Sequence, residues 1–346
     1  MILVTGGAGY LGSLLVRELL ALGEQVRVVD TLWFGNPFDS HPHLEVVEDD
    51  VRDFDQAWLA DVTGVIHLAG LSNDPTADFA PELNNSCNVQ ATRALAQAVA
   101  EKAMHEERSI SLALASTCSV YYTTCREGDL NVVPMTEDLP NAPTANYSKT
   151  KRLAEIELLR IADKCPFFCP IILRKGTLFG YSPRMRFDLV VNTFTLHAWR
   201  TRRLTVHGHG EVWRPLLHVR DAVDAYIHLL WAPPEKTRCQ TFNLVHKNYR
   251  MLELAHWVAE VLEQHRSVEI HVKRNRDIDN SARSYYVVGD KITRMLGFRP
   301  ERGVTEAVLT IWDALERGEL GEAPDKNPRY FNIRWMQEIM TKGVYV

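Results

Sequence analysis

The sequence predicts an α/β protein: a doubly wound parallel sheet followed by a smaller carboxy-terminal α/β lobe. Three observations predict it. A glycine-rich turn at residues 6–12 joins an apolar strand to an amphipathic helix. Short apolar runs then alternate with helical patterns through the first half, the texture of parallel strands with crossover helices. After Arg174 the segments become mixed and proline-punctuated.

Val4-Thr5-Gly6-Gly7-Ala8-Gly9-Tyr10-Leu11-Gly12 follows Ile2 and Leu3 and opens a helix with Leu11, Leu14, Leu15, Leu19 and Leu22 on one face. This spacing fits a dinucleotide-binding turn. Gly6 and Gly7 allow backbone angles barred to other residues, Gly9 admits a pyrophosphate, and Gly12 lets helix close on strand. The helix N-terminus offers N–H groups and a positive dipole end to phosphate, so Tyr10 and Leu11 join the cofactor-binding set. A second strand, Gln25–Val29, ends in Asp30 at the distance of a ribose-binding carboxylate. An acid there accepts from both ribose hydroxyls and repels a 2′-phosphate, so NAD(H) is expected over NADP(H).

Further strands are expected at Glu45–Val47, Gly64–Ala69 and Ser111–Ala115, with a long helix from Pro81 to Met104. A helix at Tyr147–Ala162 leads to a strand at Pro170–Leu173. Residues 1–173 then form a Rossmann-type NAD-binding domain. Residues 174–346 form mainly a substrate lobe, with some segments returning to the first domain. Its helices are expected at Leu189–Arg200, Asp221–Leu230, Met251–Gln264 and Val304–Arg317. Its strands are expected at Leu204–Val206, Thr241–Leu244 and Val268–Val272. The tail from Gly321, with Tyr330, Phe331 and Trp335, reads as a segment docked on the body.

A length of 346 residues with 46% hydrophobic and 24% charged residues is ordinary for a globular enzyme. A net charge of −5 gives no general attraction to nucleic acid or anionic membrane. No apolar run approaches the roughly 20 residues that cross a bilayer. With the first strand expected from residue 2, no cleaved signal peptide is expected. The six cysteines (Cys87, Cys118, Cys125, Cys165, Cys169, Cys239) show no CxxC or zinc-ribbon spacing, so reduced thiols in a cytoplasm are expected. His207-Gly208-His209 reads as a loop, and no metal site is expected.

Tyr147-Ser148-Lys149-Thr150-Lys151 places Tyr147 and Lys151 on one helical face. A nearby ammonium and the positive ring of NAD⁺ would lower a phenol pKa that otherwise sits near 10, making Tyr147 a base. Lys151 would also hold the nicotinamide ribose. Ala115-Ser116-Thr117-Cys118-Ser119-Val120-Tyr121 stands at the carboxyl end of an expected strand, the edge where open parallel sheets bind ligands.

Together these segments resemble the extended short-chain dehydrogenase/reductase superfamily, in its NAD-dependent nucleotide-sugar epimerase/dehydratase branch. The resemblance also takes in Asp50-Val51-Arg52-Asp53, His67-Leu68-Ala69-Gly70, Asn88-Val89-Gln90-Ala91-Thr92 and Leu173-Arg174. It extends through Trp213-Arg214-Pro215-Leu216-Leu217-His218-Val219-Arg220-Asp221 and Leu296-Gly297-Phe298-Arg299-Pro300. It implies that Asp50 and Val51 flank the adenine and that Leu68, Ala69 and Gly70 line the dinucleotide path. It implies Thr117, Tyr147 and Lys151 as the catalytic set. Asn192, Arg214 and Arg283 resemble sugar-nucleotide contacts, with a surface ion pair the alternative for Arg214 and a structural role for Arg283.

Departures from the pattern bear on the reaction. Family 4,6-dehydratases follow the catalytic Thr with Asp and Glu, whereas this chain has Cys118 and Ser119 at that substrate-facing turn. Simple 4,6-dehydration is therefore disfavoured; Cys118 is either a small buried residue or an acid of tuned pKa. Tyr122 replaces a Gly after Val-Tyr, and Thr177 replaces a common Asn at a substrate contact. Ser182–Asp188 is a distinctive run expected to line the sugar pocket.

The expected activity is epimerisation of a nucleotide-diphosphate sugar through a transient 4-keto intermediate. A 4-ketoreductase or dehydrogenase is the alternative, and a non-catalytic dinucleotide sensor a reading from another class. The apolar surplus of the Asn88–Met104 helix and of the helix after Tyr147 implies, with the resemblance, a four-helix homodimer interface. The other cover considered is the carboxy-terminal tail.

Overall fold

The computed structural model describes residues 1–121, 132–275 and 284–343. Its strands are β1 (Ile2–Thr5), β2 (Val26–Asp30), β3 (Leu44–Glu48), β4 (Gly64–His67), β5 (Ile110–Thr117), β6 (Phe168–Lys175), β7 (Thr177–Phe179), β8 (Arg203–His207), β9 (Trp213–His218), β10 (Gln240–Leu244), β11 (Lys247–Arg250) and β12 (His271–Asn275). Its helices are α1 (Gly12–Ala21), α2 (Asp74–Phe79), α3 (Pro81–Asn85), α4 (Ala91–His105), α5 (Asn146–Ala162), α6 (Val190–Thr201), α7 (Val219–Trp231), α8 (Pro234–Thr237), α9 (Met251–Arg266), α10 (Asp290–Leu296), α11 (Val304–Glu316) and α12 (Asn332–Thr341).

Seven strands form one parallel sheet in the order β10-β6-β5-β4-β1-β2-β3. Strands buried on both faces read as continuous apolar runs rather than alternating ones. One face is covered by Leu15 and Leu19 of α1, Val223 and Tyr226 of α7, and Ile311 of α11. The other is covered by Leu95 and Val99 of α4 and by Leu158 and Ile161 of α5. The chain leaves this sheet after β6 and returns at β10, which pairs with β6 in parallel from Gln240↔Ile171 to Leu244↔Lys175. A third core, with Phe194, Leu204, Val258 and Trp312, unites α6, α9, α11 and β8 in the smaller lobe.

Differences from the sequence-based expectations are local. The last short strand is His271–Asn275 rather than Val268–Val272, because Ser267 takes a left-handed φ of 52° to end α9 and β12 pairs with β8 beyond it. The long helix is α3, one π-helical turn at Ser86–Gln90, and α4. π-turns inside helices often stand at functional sites. Strands β7, β9 and β11 form a separate small sheet that no periodicity flagged. The tail from Gly321 ends in α12, whose Met336 and Ile339 pack with Leu71, Trp33 and Leu83.

A buried polar network ties α5 to the sheet. Arg174 on β6 donates to both carboxylate oxygens of Glu155 on α5, at 3.0 and 2.7 Å. Ser116 Oγ on β5 donates to the same carboxylate at 2.5 Å, and Arg174 Nη1 donates to Tyr121 Oη at 2.9 Å. Glu155 is fully buried. Removing one partner of such a pair leaves an uncompensated buried charge, costing about 3–5 kcal/mol. Glu155→Gln is therefore expected to lower the urea unfolding free energy by about that amount, with Glu155→Gln/Arg174→Met recovering most of it. Matching stabilities for wild type and the single variant would show the network to be energetically idle.

Candidate active site

The glycine turn, the carboxyl ends of β1, β2, β4, β5 and β6, and the Ser182–Asp188 segment enclose one cavity of about 420 Å³. It is a strand-end crevice of the kind where parallel sheets bind ligands. Among the sequence-predicted residues it brings together Gly6, Gly9, Tyr10, Leu11, Gly12 and Asp30 at one end. Asp50, Val51, Leu68, Ala69 and Gly70 line its wall, and Thr117, Ser119, Tyr147, Lys151 and Thr177 stand towards its other end.

The turn is built for close approach. Gly6 has φ +71°, and a Cβ there would lie 2.5 Å from the Ala69 nitrogen. A Cβ on Gly12 would meet the Gly6 carbonyl oxygen at 2.5 Å. Gly7 differs from expectation: it has no positive φ, and its bareness instead makes room for the Val28 side chain, 2.8 Å from a would-be Cβ. Asp30 accepts from the N–H of Ala8 and of Leu32, both at 2.9 Å, which fixes its carboxylate at the sheet edge. Burial raises its pKa, while those two N–H groups and the Arg184 charge oppose the rise. A cradle without side chains beside an oriented carboxylate fits a dinucleotide.

Thr117 ends β5 in an extended conformation, and its Oγ1 accepts from the Ser119 N–H at 3.1 Å. Its hydroxyl donates to Ser119 Oγ at 3.0 Å and stands close enough to the Tyr147 phenol to favour the phenolate. Burial pushes the Tyr147 pKa up, against the charge of Arg186 and the Thr117 hydroxyl. The expected lowering by Lys151 is thus not seen in the protein alone; desolvation dominates, and the cation opposing it is Arg186. Lys151 is itself 3% exposed, and burial pulls its pKa down to about 8. Asn88, on the π-helical turn, donates to the Leu71 carbonyl and to Asn84, and its Oδ1 packs against Gly70.

Three expected contacts lie elsewhere. Cys118 Sγ donates to the Arg174 carbonyl at 3.0 Å and is buried away from the cavity; burial pushes its thiol pKa far up, so it serves as a small core residue and not as an acid. Asn192 is fully buried, because its amide is consumed internally. It accepts from the Gly180 N–H and donates to Tyr10 Oη and to the Arg186 carbonyl. Arg214 donates to the Trp213 carbonyl and sits 5.5 Å from the centre of the Tyr285 ring, so Tyr285 faces the cavity and Arg214 stands behind it. Arg283 and Tyr122 lie outside the described residues.

The cavity also holds residues that the sequence did not single out by role. Arg186 donates bidentately to Asp188, both bonds at 2.9 Å, and to Ser72 Oγ. Lys175, at the end of β6 beside Thr117, reaches the Ser116 carbonyl and Tyr226 Oη at 3.1 and 3.2 Å. Burial, then Lys151, pulls its pKa down to about 7. Asn332 and Met336 come from α12, almost at the end of the chain. No local pattern singled out Lys175, and the aromatic tail, read as docked on the body, carried no sign that it reaches the cavity.

Comparisons with known proteins give the family. Residues 2–244 match the NAD dependent epimerase/dehydratase family. The chain belongs to that family. It is an NAD-dependent enzyme of the extended short-chain dehydrogenase/reductase type, in the nucleotide-sugar epimerase/dehydratase group. The chain is 29% identical over 337 residues to UDP-glucuronic acid decarboxylase 2 of Arabidopsis thaliana, covering 91% of this chain and 68% of that protein. It is 26% identical over 331 residues to UDP-glucose 4-epimerase of Lactobacillus helveticus, covering 90% and 96%. Its fold matches the UDP-glucuronic acid 4-epimerase of Bacillus cereus, solved with UDP-glucuronic acid and NAD, at TM-score 0.75 and 20% identity over 91% and 99% of the chains. Among the described residues no helix is long and apolar enough to cross a membrane.

The two buried lysines make a stability signature. Each binds its proton less tightly in the folded protein than in the unfolded chain, where the ordinary value is 10.5. Below about pH 7 both states are protonated and the burial penalty is full; it fades as pH rises towards about 10.5. The stability advantage of Lys151→Met/Lys175→Met over wild type should therefore shrink from about pH 7 to about pH 9.5. Thermal melts of both ligand-free proteins across that range check it; a constant difference would mean ordinary lysine pKa values.

Proposed function

We propose that this enzyme is a nucleotide-sugar epimerase that works by transient oxidation to a 4-keto sugar. The observation that carries the reading is the composition of the β5 edge. Thr117, Tyr147 and Lys151 share the cavity, while the two positions after Thr117 supply no carboxylate. Cys118 is turned into the core, and Ser119 Oγ accepts from the hydroxyls of Thr117 and Ser148 at 3.0 and 2.9 Å. Eliminating water needs an acid–base pair for a second proton transfer, and this edge does not hold one.

Tyr147 takes the proton of the sugar hydroxyl, and Thr117 holds that oxygen as its charge develops. Arg186 favours the phenolate by its charge. Bound NAD supplies the hydride acceptor and donor. Reversal on the other sugar face restores the cofactor with no net redox change. The names of the curated relatives, a UDP-glucuronic acid decarboxylase and a UDP-glucose 4-epimerase, support a nucleotide-diphosphate sugar as substrate. The same geometry serves a 4-ketoreductase or dehydrogenase where the cofactor exchanges between turnovers.

Incubating the purified protein with NAD⁺ and a panel of UDP- and dTDP-linked sugars, a uronic acid included, tests the reading. A stereoisomer of equal mass is the expected product. Accumulating NADH, loss of water or carbon dioxide, or binding without turnover would each overturn epimerisation. In the same assay Tyr147→Phe should lose about 10²–10⁴ in kcat while still binding NAD, and Thr117→Val should lose less.

We also infer a symmetric homodimer. Helices α4 and α5 leave Met104, Leu153 and Ile156 44%, 47% and 42% exposed, an apolar surplus on two adjoining helices. The carboxy-terminal tail does not cover them, since α12 docks on Trp33, Leu71 and Leu83 instead. A two-fold interface is the commonest assembly. Light scattering should give a mass of two chains; a stable single-chain mass at micromolar concentration would exclude the dimer.

A further inference from the structure

We propose that Arg184 is a cofactor-anchoring residue that grips the diphosphate of bound NAD, and that helix α12 holds it in place over the dinucleotide. The inference rests on the NAD binding of the family and is independent of which sugar reaction follows.

Arg184 is 8% exposed and lines the cavity at its glycine-turn end. The segment that carries it is bolted to that turn: Ser182 Oγ donates to the Tyr10 carbonyl at 2.6 Å and lies 3.0 Å from Ser13 Oγ at the start of α1. Its guanidinium lies 3.6 Å over the Phe34 ring, which fixes the plane of the fork. One terminal nitrogen donates to Asn332 Oδ1 at 2.6 Å, while the Nε is buried without a partner.

The neighbouring carboxylates do not use up this donor. Asp30 takes its bonds from Ala8 and Leu32, and Asp188 is forked to Arg186. Burial and the adjacent Arg186 cation both disfavour the charged guanidinium, so the charge is under-compensated by the protein alone. A buried donor left unmade is costly, and a phosphate oxygen answers it with a charge-assisted bond. The diphosphate is the doubly charged group that the turn and the N-terminus of α1 bring to this end of the cavity. Arginine suits it because its planar fork meets two oxygens at once.

Helix α12 completes the device. Asn332 accepts from Arg184 and donates to Ser72 Oγ at 3.0 Å, Met336 lines the cavity, and Trp335 Nε1 donates to the Trp33 carbonyl at 2.6 Å. The helix thus bridges the loops after β2 and β4 and the Ser182–Asp188 segment. A dinucleotide beneath it leaves only when α12 or that segment moves. Retention of this kind suits a reaction in which the cofactor is restored at each turnover.

Titrations of the full chain with NAD⁺, ADP-ribose and adenosine test the proposal, adenosine being read by displacement of NADH fluorescence. Arg184→Gln should weaken NAD⁺ and ADP-ribose about tenfold to a hundredfold and leave adenosine unchanged, the range expected for a hydrogen bond to a charged group. Arg184→Lys should recover part of the loss and part of the salt dependence. Asn332→Ala should speed NADH release in stopped-flow fluorescence. NAD⁺ affinity within a factor of two of wild type in Arg184→Gln, or an equal loss for adenosine, would overturn the clamp. If Arg184→Gln does not fold, Arg184→Lys with unaltered affinity and salt dependence overturns it instead. Unaltered release from Asn332→Ala would overturn the role of α12.

Discussion

The site depends on how α5 is held against the sheet. Tyr147 and Lys151 lie on the first turns of that helix, and Thr117 lies at the end of β5, so their meeting is a matter of how one helix docks on one strand edge. The Arg174–Glu155 pair with Ser116 fixes that docking inside the protein, where no water competes for the bonds. An apolar contact would tolerate sliding along the helix. A bidentate ion pair with a third donor does not, because its angular demands fail within a fraction of an ångström. The cost of burying two charges is offset here by the fixed placement of α5 on the sheet.

The second constraint joins the lobes. Tyr10, read in the sequence as part of the dinucleotide turn, turns its phenol away to donate to the Gly180 carbonyl, and Asn192 donates to that same phenol. Ser13 and Ser182 add a second tie. The glycine-rich turn is therefore also an anchor of the smaller lobe. Asn192 contributes to the site by shaping the segment that presents Arg186, with no contact of its own to the cavity.

The parts of this arrangement legible in the sequence are those whose physics is local. A glycine turn binds phosphate through its own backbone, Asp30 ends its own strand, and Tyr147 and Lys151 share a face by helical period alone. Residues 2–30 and 147–151 therefore declare their place without the rest of the chain. Asn192 and Arg214 did not, since whether an amide or a guanidinium faces a ligand or a neighbour depends on packing between distant segments. Arg184 and Asn332 meet across 148 residues, a pairing that no window of sequence contains. Strands β7, β9 and β11 were missed for the same reason: β9 pairs with β7 and β11 from distant segments, β7 and β11 are only three and four residues long, and β9 carries Pro215.

The electrostatics of Tyr147 carry the last step. A YxxxK spacing invites the view that Lys151 alone sets the phenol, yet the cavity surrounds it with Arg186, Lys151 and Lys175 while burial raises its pKa. Lys151 and Lys175 are both weakened as cations by burial, whereas Arg186 is kept charged by Asp188. The lasting positive charge near the phenol is thus the arginine of the Ser182–Asp188 segment. That segment is held by Tyr10 through Asn192 and flanked by Asn332. The charge that opposes desolvation at Tyr147 is consequently placed by contacts among the loop after β4, the Ser182–Asp188 segment and α12, and not by the YxxxK spacing alone.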